Sequence, residues 1–122
     1  MEPQATPPQV VEASLAPNGC EPYRPLVEQY AWDADVALAV MRAESGCDPS
    51  AVGDLSLTYQ GSGRREGMSC GLMQVRVLAG RPDCDALLDP ATNVANAWRI
   101  YEARESFTPW SVYTSGKYEQ FL

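Results

Sequence analysis

The sequence predicts a mostly α-helical domain with a minor β-hairpin, an α+β chain in which helices dominate. Apolar residues recur at helical spacing in two segments, Tyr23-Leu26-Val27-Tyr30 and Val94-Ala97-Trp98-Tyr101, and the unbroken apolar run Val36 to Met41 between them reads as a central, buried helix. Only Leu55-Ser56-Leu57-Thr58-Tyr59 alternates apolar with polar, and Gln60-Gly61-Ser62-Gly63 after it reads as a turn. That alternation is too short to make a sheet alone. A length of 122 residues suits one domain, and a hydrophobic content of 45% supplies its core.

Along the chain, residues 1–19 hold Pro3, Pro7, Pro8 and Pro17 and no hydrophobic period, which reads as a flexible linker or tether. The folded domain is expected over residues 20–122, from Cys20 onward. Its first helical face is Tyr23 to Tyr30. Asp33 is a suitable N-cap for the next helix, expected to run to Glu44 or Ser45, where Gly46 stops it and Pro49 prevents its continuation. Gly71-Leu72-Met73-Gln74-Val75 reads as the opening of a short helix, and Gly80-Arg81-Pro82-Asp83 as a loop. Asp89-Pro90 is an N-cap followed by proline at the first helical position. Thr108-Pro109-Trp110 breaks the pattern, and Trp110 to Phe121 closes the domain. Four or five helices result, with no internal repeat.

Composition excludes several functions. The net charge is −7, Lys117 is the one lysine, and Arg64-Arg65 is the longest basic run, so a phosphate-binding surface is not expected. Neither nucleic acid nor an anionic membrane is therefore an expected partner, whereas a neutral or weakly charged polymer such as a glycan is compatible. No apolar stretch approaches the roughly 20 residues of a transmembrane helix. Without histidine and without a C-x-x-C pair, no metal site and no cofactor are expected. Cys20, Cys47, Cys70 and Cys84 form an even set that two disulfides would use up, so an extracytoplasmic chain (secreted, periplasmic or cell-wall associated) is expected, with a cytosolic protein carrying free thiols, or a phage product exported by other means, as the alternative. Three connectivities are open, and Cys20–Cys47 with Cys70–Cys84 is favoured because each closes a short loop. Met1-Glu2-Pro3-Gln4 is not the start of a signal peptide, so an exported chain is expected to have lost a leader. A monomer is expected.

Glu44 carries the chemical interest. It ends an apolar helix, and both apolar surroundings and the negative end of a helix dipole disfavour an ionised carboxyl. A carboxyl held neutral near neutral pH is what a general acid requires, and no histidine competes for the task. A helix-end glutamate pointing at solvent is the plain alternative.

Three motifs occur in order, Ala43-Glu44-Ser45-Gly46, Cys70-Gly71-Leu72-Met73-Gln74-Val75, and Pro109-Trp110-Ser111-Val112-Tyr113-Thr114-Ser115-Gly116. Together they resemble the lysozyme-like superfamily, and within it the soluble lytic transglycosylase branch with its small phage and secreted relatives. Asp89-Pro90 with Asn93 resembles the start of that family's penultimate helix. The resemblance spans nearly all of residues 20–122 and implies a lysozyme-like helical domain that cleaves the β-1,4 bond between N-acetylmuramic acid and N-acetylglucosamine in peptidoglycan. By the same resemblance Glu44 is the catalytic acid and then base, and Ser45 orients it or touches the sugar. Gly71 lets a glycan approach the backbone, Met73 and Gln74 line the cleft, and Tyr113 contacts the acid or an N-acetyl group. The family's late motif often reads Tyr-Asn, whereas Thr114 follows Tyr113 here, so no asparagine contact transfers.

The residues read alone agree in outline. A sugar site needs polar groups beside flat apolar faces, and Trp110, Tyr113, Tyr118 and Tyr59 are available, while Trp98 at helical spacing belongs to a core. Asp54 is the candidate second carboxylate of a hydrolase, with a turn role as its plain alternative. A lytic transglycosylase needs Glu44 alone, because the muramyl 6-hydroxyl closes on its own ring carbon. The single-carboxylate reading favours the transglycosylase, with a muramidase-type hydrolase as the alternative, beside a non-catalytic glycan-binding module and a disulfide-stapled interaction domain.

Overall fold

The computed structural model describes residues 19–122. The expected tether over residues 1–19 lies, Gly19 apart, outside them. A 3-10 turn over Glu21–Tyr23 leads into α1, Arg24–Val27, and then into α2, Ala34–Ser45. The Asp33 side chain accepts from the Val36 amide at 3.1 Å and so caps α2, and Gly46 ends it in the left-handed region with φ 68°. Between its caps α2 buries Ala37, Leu38, Ala39, Val40 and Met41 completely. Burial of one large side chain of this kind stabilises by about 1.5–3 kcal/mol, so packing rather than propensity holds α2 in place.

The β region is small. Strands β1, Val52–Gly53, β4, Ser69–Cys70, and β5, Val75–Arg76, form one antiparallel sheet in the order β1-β4-β5. A separate hairpin pairs β2, Tyr59–Gln60, with β3, Arg65–Glu66. The expected turn after Gln60 is this hairpin. The alternating stretch before it is a 3-10 turn over Leu55–Leu57, which leaves Leu55 and Leu57 exposed. A second correction concerns Gly71 to Gln74. This segment opens no helix. It is the tight loop between β4 and β5, with Cys70 paired to Val75. Gly71 at φ 81° and Gln74 at φ 50° both sit where a right-handed helix cannot continue.

The remaining helices are α3, Cys84–Leu87, α4, Pro90–Arg104, and α5, Ser111–Thr114, followed by a 3-10 turn over Lys117–Phe121 that packs on α2. Asp83 and Asp89 cap α3 and α4. Helix α3 lies beyond the expected loop and was not expected, because four residues show no period. Trp98, Tyr30, Trp32, Tyr101 and Phe107 stack into one aromatic cluster, with Tyr30 and Trp98 rings parallel at 5.4 Å. Disulfides join Cys20 to Cys47 and Cys70 to Cys84, the pairing that the short loops favour.

Asn93, wholly buried on the first turn of α4, ties the β region to the helices. Its amide nitrogen donates to the carbonyls of Cys70 at 2.7 Å and Leu87 at 2.8 Å, and its oxygen accepts from the Met73 amide at 2.8 Å. Gly71 is fixed by the same contact, since a Cβ there would collide with the Asn93 amide and the Leu87 carbonyl. Asn93→Ala removes three buried hydrogen bonds to the backbone and is expected to cost about 3–5 kcal/mol. Asn96→Ala removes only a bond to the Thr92 carbonyl of the same helix and should cost less than about 1 kcal/mol. Urea unfolding of both variants checks this, and similar midpoints for the two would contradict it.

Candidate active site

Glu44 occupies the last turn of α2 and turns its carboxyl into a cleft between the helices and the small sheet. Asp54, Ser69 and Gln74 line the cleft from the β region, Arg76 and Arg81 from β5 and the loop after it, Ile100 from α4, and Pro109, Trp110 and Ser111 from the chain entering α5. The end of α2 is held firmly. Gly46 donates from its amide to the Arg42 carbonyl at 2.9 Å, and Cys47 next to it is bonded to Cys20. Ser45 Oγ donates to the Met41 carbonyl and accepts from the Asp48 amide, both at 3.3 Å, closing the helix end onto the following turn.

Burial first, and the negative charge of Asp54 second, push the Glu44 carboxyl up from 4.5 to about 7. Asp54 itself sits in the left-handed region at φ 57° and accepts from Ser69 Oγ at 2.5 Å. Its side chain is thereby aimed across the sheet rather than closed on its own turn. Two carboxyl groups thus share one cleft, one in a poorly hydrated position and the other exposed.

The residues expected at the site divide into two groups. Glu44, Gln74, Trp110 and Asp54 line the cleft, whereas the lining does not include Ser45, Gly71, Met73 or Tyr113. Gly71 and Met73 are buried, so the loop between β4 and β5 reaches the cleft through Gln74. The Gln74 amide donates at 3.0 Å to the carbonyls of both Ala51 and Gly71, which locks the side chain against β1. Trp110 is 5% exposed and donates from its indole nitrogen to the Met73 carbonyl at 2.9 Å, so it is a core residue with one edge on the cleft, not an open platform. Tyr113 is half-buried and stacks on Tyr118 at 4.9 Å. Tyr59 is exposed on the hairpin and its hydroxyl donates to Glu66.

Sequence reasoning passed over Arg76, Arg81 and Ser69. The two arginines come from a strand end and a loop, where no periodicity marks them. The one available signal was their closeness in a chain of net charge −7. Among the described residues no group of histidine, cysteine and acidic side chains could hold a metal ion, and no helix is long and apolar enough to cross a membrane.

A family model described as a lysozyme-like domain, of the soluble lytic transglycosylase type, matches residues 28–112, well over half of the chain. No curated protein and no solved structure matches it.

The raised Glu44 carboxyl has a consequence for stability. Below about pH 4.5 the group is protonated in the folded and unfolded chain alike, and stability is full. As pH rises through about 7 the fold must accommodate a charge that the unfolded chain would hydrate, and stability is lost. Glu44→Gln is therefore expected to stabilise the fold at pH 8 by about 1–2 kcal/mol, after allowance for partial hydration of the site, and to have no effect at pH 4. Denaturation at the two pH values checks this, and an equal effect at both would contradict it.

Proposed function

From the premise that this chain belongs to the lysozyme-like domain family, we propose that it cleaves the β-1,4 bond between N-acetylmuramic acid and N-acetylglucosamine in peptidoglycan strands, with Glu44 as acid and base. The observation that carries this reading is a carboxyl pushed to about 7 by burial, lining a cleft with Gln74 and the edge of Trp110. A neutral Glu44 gives its proton to the glycosidic oxygen as the bond to the muramyl C1 breaks. The carboxylate left behind then takes the proton of the muramyl 6-hydroxyl as that oxygen closes on C1. Glu44 is restored, no water is consumed, and the product is a 1,6-anhydro sugar. This lytic transglycosylase route asks nothing of a second carboxyl.

One observation favours a second reading. Asp54 lines the same cleft and its charge is felt at Glu44, as a hydrolase with a pair of carboxyl groups requires. In that muramidase route water replaces the 6-hydroxyl, and Asp54 stabilises or traps the cationic sugar or activates the water. Ser45 and Tyr113 act behind the cleft in either route, Ser45 by fixing the helix end and Tyr113 by supporting the segment that bears Trp110. The two disulfides fit an oxidising compartment outside the cytoplasm, where peptidoglycan is found. A binding module without catalysis has no need of a half-buried acid.

Glu44→Gln is expected to lower wall clearing by about a hundredfold or more while the variant stays folded, since a lost catalytic acid costs about two to four orders of magnitude. Wild-type activity should fall as pH rises through about 7, because the proton donor is then lost. Turbidity clearing across pH 4 to 9 and mass spectrometry of the muropeptides check both points. Anhydro products identify the transglycosylase, products heavier by one water identify the hydrolase, and clearing by Glu44→Gln equal to wild type would remove Glu44 from the mechanism.

A further inference from the structure

The Glu44 cleft is lined by two carboxyl groups, Glu44 and Asp54, and by two arginines. Arg76 ends β5 and Arg81 lies in the loop after it, and both are half-buried and line the cleft. Arg76 Nε donates to the Gly67 carbonyl at 2.8 Å, and Arg81 donates from one terminal nitrogen to the Arg76 carbonyl at 3.1 Å. Those bonds fix the two side chains and occupy only a fraction of the five N–H donors that each guanidinium carries. Among the described residues the ion pairs belong to Arg24 and Arg64, and none includes Arg76 or Arg81. A second cavity shares Arg81 and Ile100 with the cleft and adds Asn96 and Arg99 along the outer face of α4.

This arrangement is costly for the protein alone. Burial first, and the neighbouring charge of Arg76 second, hold the Arg81 guanidinium below its ordinary range. Two like charges kept together in a half-buried cleft, without an ion-paired carboxylate among the described residues, are stabilised by an incoming anion. A planar guanidinium matches a carboxylate through two parallel hydrogen bonds. A general attraction to polyanions does not account for the pair, since the chain as a whole carries −7.

We propose that Arg76 and Arg81, extended by Arg99, form a carboxylate-binding subsite that makes the cleft select muramyl strands over neutral N-acetylglucosamine polymers. The proposal rests on the glycan-cleaving reading of Glu44. The carboxylate hangs from the 3-position of the muramyl ring. It is the lactyl carboxylate itself on a denuded strand, or the carboxylates of the stem peptide on a substituted one.

The test is binding to the full chain carrying Glu44→Gln, measured by calorimetry with three glycans of equal length: a neutral chito-oligosaccharide, a denuded muramyl oligosaccharide and a peptide-bearing one. A carboxylate-bearing glycan is expected to bind about tenfold or more tightly than the neutral one, as a charge-assisted bidentate contact allows. That ratio should shrink as salt rises from about 0.05 to about 0.5 M, since screening weakens a partly exposed ion pair. Arg81→Gln and Arg76→Gln should each collapse the ratio, Arg81→Lys should restore part of it, and thermal melting shows that the variants are folded. An advantage of the denuded strand identifies the lactyl group, and an advantage confined to the substituted strand identifies the peptide. Equal binding of charged and neutral glycans at low salt overturns the subsite, and that comparison needs no arginine variant. Wall clearing by the wild type without a charge preference refutes the subsite alone, whereas failure to bind or cleave any glycan refutes the Glu44 reading with it.

Discussion

The buried amide of Asn93 is the constraint on which the rest of the structure depends. The β region is too small to fold by itself, since its strands are two residues long. It has a defined position only because α4 reaches into it. Asn93 bonds two carbonyls and one amide in the interior, and it draws them from β4, from the following loop and from the end of α3. The same loop is fastened on its other sides. The Gly71 amide donates to the Ala51 carbonyl at 2.8 Å, and the Met73 carbonyl accepts from Trp110. A loop held from α4, β1 and the α5 segment has little freedom, so Gln74 and the residues after it face Glu44 from a fixed distance. The cleft is a product of that fastening.

Glu44 shows how local placement becomes chemistry. Nothing about the side chain is unusual, and the property that matters comes from α2. The helix is buried along five consecutive residues, and its caps decide where it stops. One turn longer, and Glu44 would be a mid-helix residue. One turn shorter, and it would lie in the loop that holds Cys47, with free access to water. At its actual place the carboxyl is poorly hydrated and faces Asp54, and both circumstances favour the proton. The exposed Asp54, held by Ser69, shares the cleft but not the shielding. Two carboxyl groups in one cleft can therefore take different roles, because their surroundings differ.

The sequence conveyed the helices well where an end is marked chemically. Asp33 with Gly46, and Asp89 with Pro90, bracket α2 and the start of α4 as their cap chemistry demands, and the apolar faces between them are the buried ones. It conveyed the β region poorly. Leu55 to Tyr59 alternates like a strand, yet no neighbour pairs with Leu55 or Leu57, and the backbone enters a 3-10 turn after the left-handed Asp54. Gly71 to Gln74 contains good helix formers, and their propensity is overruled by long-range bonds from Asn93, Ala51 and Trp110 that no local window contains. The candidate site was legible to the same degree. Glu44 declared itself by position in a helix. Trp110 did not, because a loop aromatic turns toward core or solvent according to a single distant partner, here the Met73 carbonyl. Arg76 and Arg81 were invisible, since their meaning lies in which cleft they share.

The two disulfides sit beside the site rather than in the middle of the aromatic core, and this has a physical logic. Each site segment carries unfavourable features: Cys47 and Gln74 have positive φ, as does Asp54, and a half-buried carboxyl must be accommodated as well. A domain of this size has only a small net stability, so such costs are significant. Cys20–Cys47 closes the chain immediately after α2 ends, and Cys70–Cys84 closes it immediately before the loop that bears Gln74. A crosslink over loops this short removes unfolded-chain entropy worth about 3 kcal/mol in the chain-entropy account. The stabilisation thus falls on the segments that the cleft has made least stable by themselves, while the apolar packing of α2, α4 and the aromatic cluster secures the remainder. The geometry of the cleft in so small a domain therefore depends on both crosslinks being formed.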